Sequence, residues 1–168
     1  MHGQGTLVHH EGGKYTGAWR DDKQHGFGEE SWPDGSAFKG TFSYGIKNGK
    51  GFFQWADGST YDGIFFDNQM TGHGRYKWFD GRIYMGSWAD NMMHGIGVFV
   101  WPDGRKYEGS YVNDKKEGYG KFIWPDGKTY EGNWLKGKQH GIGYFTCPNA
   151  KSSKGEWQNG RRVRWIQD

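Results

Sequence analysis

Cysteine is almost missing from this chain: Cys147 is the only one in 168 residues, so no internal disulfide holds the fold together. Leucine and isoleucine are scarce, and hydrophobic residues reach only 33% of the total, too few for a large two-layer core. No apolar run approaches the roughly 20 residues that a membrane-spanning helix needs, and mean hydropathy is −1.00, which points to a soluble protein. A charged and then apolar leader has no place at the start, because Met1-His2-Gly3-Gln4-Gly5 is already in register with the pattern described below. Together with the single packed thiol, this predicts a reducing, cytoplasmic setting. Strong charge of one sign is lacking as well. Net charge is +3, the isoelectric point is about 8.8, and acids alternate with bases, which argues against nucleic acid as a partner.

What the chain does have is 31 glycines and 18% aromatic residues, arranged with a period of 23. Gly3, Gly26, Gly49, Gly72, Gly95, Gly118 and Gly141 form one column, and Gly17, Gly40, Gly63, Gly86, Gly109, Gly132 and Gly155 another. Seven copies without an insertion make a repeat architecture. Within one copy, Trp101-Pro102-Asp103-Gly104-Arg105 separates two segments in which glycines and rings recur at every second residue, so the unit reads as a hairpin. Pro102 suits the first central position of a type I turn and Gly104 the left-handed place after it. This three-residue loop sets Phe99 against Tyr107, Gly97 against Gly109 and Gly95 against Tyr111, with glycines and rings on one face.

The predicted fold is therefore all-β: an elongated, twisted, single-layer antiparallel sheet of about seven tandem hairpins, with fourteen strands. The whole chain, 1–168, is one array with repeats at about 3–25, 26–48, 49–71, 72–94, 95–117, 118–140 and 141–163, and a C-terminal cap at 158–168. Polar stretches such as Arg20 to His25, Ser43 to Asn48 and Ala89 to His94 are read as return loops. Rings lying over glycine slots take the place of a core. Arg161, Arg162 and Arg164 suit an edge that must discourage further pairing.

Four constellations that resemble chemistry do not hold up. His2, His25, His94 and His140 share a loop column, but members one repeat apart stand roughly 10 Å from each other, too far to share a metal ion. Asp34, Asp57, Asp80, Asp103 and Asp126 are explained by their turn position. Gly-x-Gly recurs with no helix behind it to meet a phosphate, and no serine is paired with a base. We expect no enzyme, no cofactor, no catalytic residue and no metal site.

The face opposite the rings is left open by the repeat. From the fourth copy on it turns apolar, with Ile83, Met85, Ile96, Val98, Val100, Tyr119, Ile123, Ile142 and Tyr144, and an exposed apolar row in a one-layer sheet marks a protein partner. The competing reading is that the tail, through Trp165 and Ile166, covers it.

The pattern D-G-x-x-Y-x-G-x-[WFY], followed after five residues by [HN]-G-x-G, resembles the membrane occupation and recognition nexus (MORN) repeat over nearly the whole chain. His9, Cys147, Ala150 and Ser153 depart from it. The resemblance implies a non-catalytic scaffold in cytoskeletal, ciliary or axonemal structures. Its partners would be a helical or extended segment of another protein, or a second copy in a dimer. It also implies an alternative, phosphoinositide binding at a membrane surface. Here that would use Lys115, Lys116, Lys136, Lys138, Arg161, Arg162 and Arg164, at about 1 kcal/mol per charge near an anionic surface.

Overall fold

The tyrosine, glycine and turn columns act together in a computed structural model that describes residues 1–167. Its regular structure is one antiparallel sheet of fifteen strands whose order follows the chain. The chain divides into two units, Met1–Asp80 with Trp88–Asn91, and Gly81–Ser87 with the residues from Met92 onward. The first contains β1 (Gly3–Val8), β2 (Lys14–Arg20), β3 (Lys23–Ser31), β4 (Ala37–Ser43), β5 (Ile46–Gln54), β6 (Thr60–Phe66) and β7 (Gln69–Lys77). Strand β8 (Ile83–Ala89) gives its first five residues to the second unit. That unit continues with β9 (Met92–Val100), β10 (Lys106–Val112), β11 (Lys115–Ile123), β12 (Thr129–Leu135), β13 (Lys138–Thr146), β14 (Ser153–Gln158) and β15 (Arg161–Trp165).

The hairpin register is the one the turn demands. Phe99 pairs with Tyr107, Gly97 with Gly109 and Gly95 with Tyr111. The Trp101 amide donates to the Arg105 carbonyl at 2.9 Å and the Gly104 amide to the Trp101 carbonyl at 3.0 Å, with Gly104 at φ 95°. The Asp103 carboxylate accepts the Arg105 amide at 3.0 Å, a bond that also holds its pKa below the ordinary carboxylate value.

The return connections are tighter than loops. Val112 pairs with Lys115, which leaves only Asn113 and Asp114, both with positive φ, to reverse the chain. Asn and Asp tolerate this left-handed pair, and the resulting mirror-image turn follows the twist of the strands. Each such turn is tied back one repeat: the Asp114 amide donates to the Met93 carbonyl at 3.0 Å, and the Asp114 carboxylate accepts the Met93 amide at 2.8 Å.

A register shift follows each return turn, so that Ser110 stands alone against Glu117, Gly118 and Tyr119. The hydroxyl of Tyr107 donates to the carbonyl of Ser110 at 2.9 Å, and Tyr15, Tyr61, Tyr84 and Tyr130 do the same for the carbonyl three residues on. These five tyrosines are fully buried. Their rings fill the space over the facing glycine, as Tyr107 does at Gly120. Between them stand the rings of the next column, edge to face: Tyr107 meets Tyr111 at 5.2 Å and Trp134 at 5.4 Å. Such pairs add about 0.5–1.5 kcal/mol each beyond burial. In the second unit these rings are the core.

The sheet has one strand more than the hairpin count predicts, because the tail pairs with β14 as β15. Its three arginines therefore lie on the last strand, beside an unpaired edge.

Candidate protein-binding face

Because side chains alternate along a strand, every residue between two core positions of β8 to β14 points away from the rings. In the second unit Ile83 and Met85 on β8, and Ile96, Val98 and Val100 on β9, occupy such places on adjacent strands. Ile96 is 66% exposed and Met85 55%. These five are brought together. The remaining members are not continuous with them, because β10 and β12 carry charge: Lys106 and Glu108 form an ion pair, and they stand opposite Val100 and Val98 on one side and Ile123 and Lys121 on the other. Tyr119 donates its hydroxyl to Glu131 at 2.9 Å, while Ile142 and Tyr144 lie beyond on β13. The face thus has an apolar field on β8–β9 and polar-edged aromatic or aliphatic spots on β11 and β13.

The tail leaves the β8–β9 field uncovered. Trp165 turns its ring to Trp157, at 6.0 Å, and the Ile166 amide bonds to the Lys154 carbonyl at 2.9 Å. It approaches the face at Tyr144, where Lys154, Trp165 and Ile166 help to line a cleft of about 290 Å³, and at Glu156, which pairs with Arg164.

The basic residues are divided by the fold. Lys115, Lys136, Lys138 and Arg161 are exposed at or beside return turns. Arg164 is paired with Glu156 at 2.7 Å, and the Arg162 guanidinium lies 4.2 Å from the centre of the Trp165 ring. Lys116 is on the other face altogether, half-buried among rings, and burial lowers its pKa.

The loop histidines have a turn role. The Nδ1 atoms of His25 and His94 accept the amides of Tyr44 and Asn113 at 3.3 and 3.4 Å. Among the described residues no group of three His, Cys, Asp or Glu is placed to hold a metal ion. Sequence reasoning missed the column Gln24, Lys47, Met70, Met93, Lys116 and Gln139, whose side chains enter the ring face. Its signal was a run of long, unbranched residues at the repeat period, inside stretches that read as polar loops.

The MORN repeat model matches the chain at residues 15–37, 38–60, 61–81, 84–104, 107–129, 130–150 and 154–163. No curated protein matches it. Among solved structures, it is similar to the TCP domain of SAS-4 (dCPAP) from Drosophila melanogaster, in complex with a proline-rich motif of Ana2 (dSTIL). That likeness has a TM-score of 0.52 at 10% identity and covers 90% of this chain and 88% of that one. The G-box domain of the microcephaly protein CPAP has a TM-score of 0.45 at 15% identity, with 99% of both chains covered. The TCP10 domain of Danio rerio CPAP has a TM-score of 0.35 at 12% identity, covering 99% of this chain and 90% of that one. The first of these is a likeness of fold; with seven consecutive matches to the family model, the chain belongs to the MORN repeat family.

Proposed function

We propose that this chain is a non-enzymatic scaffold that binds another protein, or a second copy of itself, through the face opposite its rings, within a cytoskeletal or ciliary assembly. The observation that carries the reading is the apolar field of Ile83, Met85, Ile96, Val98 and Val100, in which Met85, Ile96 and Val100 are exposed and Ile83 and Val98 half-buried, and which the ring ladders do not need for packing. The similarity to a sheet solved with a proline-rich motif supports a protein partner. The cytoskeletal setting rests on family membership. Phosphoinositide binding is the second reading, favoured by Lys115, Lys136, Lys138 and Arg161 at the return turns.

Ile96→Glu tests the first reading. Ile96 stands opposite Ser110, so the new charge meets no like charge, whereas Val98 stands opposite Glu108. In light scattering and in pull-downs, the wild type should dimerise or retain partners that the variant loses, at low and at physiological salt. Equal behaviour of the two proteins, with vesicle binding that collapses as salt rises, would favour the lipid reading instead.

A further inference from the structure

Lys47 and Lys116 occupy the same place in copies three repeats apart. Lys47 lies opposite Phe42 and holds its ammonium 5.1 to 5.9 Å from the ring centres of Trp32, Phe38, Phe42 and Phe53. Lys116 lies opposite Tyr111, with its ammonium 5.4 to 5.6 Å from Trp101, Tyr107, Phe122 and Trp134. Ring faces attract a cation but do not replace all the water it has lost, so a half-buried ammonium is satisfied best with a carboxylate in addition.

Lys47 has one. Glu30 stands 3.9 Å away, and the two side chains are only 16% and 18% exposed. At the matching place in the second unit the chain has Phe99. Among the described residues no carboxylate lies within ion-pair distance of Lys116. The charge that bears on it is Arg105, of like sign, whose own partner is Asp103 at 2.7 Å. The first unit thus holds a complete arrangement of rings, ammonium and carboxylate, and the second holds it without the carboxylate.

We propose that Lys116 in its ring cage is the docking point for an aspartate or glutamate of an acidic partner peptide, which supplies from the solvent side of the half-buried ammonium the charge that Glu30 supplies to Lys47, since buried Phe99 fills the position matching Glu30. The proposal rests on the reading of the chain as a protein-binding scaffold and adds a second face to it. Of the four rings around the ammonium, Tyr107, Phe122 and Trp134 are buried, and Trp101, which is not, offers apolar contact to the residues that flank the acid.

The repeat supplies its own controls. Met70 and Met93, both buried, and Gln24 and Gln139 fill the same column, so Lys116→Met and Lys116→Gln keep a shape this fold already uses. A phage library of random peptides selected on the whole wild-type chain should yield binders with Asp or Glu at one fixed position. Their affinity should fall about tenfold or more on both variants, and equally when that acid is replaced by its amide. Binders that hold both variants as well as wild type would overturn the carboxylate site and leave the scaffold reading standing. The absence of any acidic preference, or of any binder, would overturn it too, while light scattering of Ile96→Glu decides the scaffold reading separately. Loss of phosphoinositide vesicle binding in the two variants, with peptide binding intact, would assign Lys116 to phosphate and end the proposal.

Discussion

The ring of Tyr107 occupies the space where any side chain of residue 120 would begin, so Gly120 and Tyr107 are one structural unit. Gly120→Ala forces a fully buried ring out of its place, and overpacking of this kind costs about 1–3 kcal/mol. Gly35→Ala meets nothing within 4 Å and suffers only from its φ of 92°, about 1 kcal/mol. Urea unfolding of the two variants should rank them in that order.

Alkaline pH should unfold the chain from about pH 10. Burial pushes Tyr61, Tyr84 and Tyr130 up to about 12 from an ordinary 10.0, and Tyr107 and Tyr111 further still. Above 10 the unfolded chain loses phenolic protons that the folded chain keeps. The stabilising contribution is therefore whole below pH 10 and is lost as pH rises through about 12. Tyrosinate absorbance of the buried rings should appear only together with loss of the β-sheet signal; ionisation of all ten tyrosines with the sheet intact would contradict the burial.

The two lysines predict opposite responses to one substitution. Lys47→Met leaves Glu30 half-buried without its cation and should cost about 1–3 kcal/mol. Lys116→Met abandons no carboxylate and relieves a desolvated charge, so it should be neutral or stabilising. Thermal melts at neutral pH separate the two; as pH rises from the lowered Lys116 value toward 10.5 and that lysine becomes neutral in the folded chain, the advantage of Lys116→Met should shrink.

The hairpin was legible because Trp-Pro-Asp-Gly sets both loop length and side-chain parity, and parity places every ring. The return turns were less legible. Arg20 to His25 looks like a loop by polarity, yet only Asp21 and Asp22 are needed to turn, and the flanking residues pair as strand. A lone Lys116 in such a stretch reads as solvated, since sequence does not show that the register shift beside Ser110 brings it under four rings. The opposite face was legible residue by residue but not in extent, because the ion pair of Lys106 and Glu108 on the intervening strand breaks the apolar row.

The central claim is that the ring face carries the fold and that the apolar field on the opposite face is free for binding. Thermal unfolding of Ile96→Glu beside Tyr107→Ala tests it most directly. The exposed Ile96 should change stability by no more than about 0.5 kcal/mol. Removing the buried Tyr107 ring should cost about 3–5 kcal/mol. If Ile96→Glu destabilises the chain as much as Tyr107→Ala, the apolar field is part of the core and the account of a free docking face is wrong.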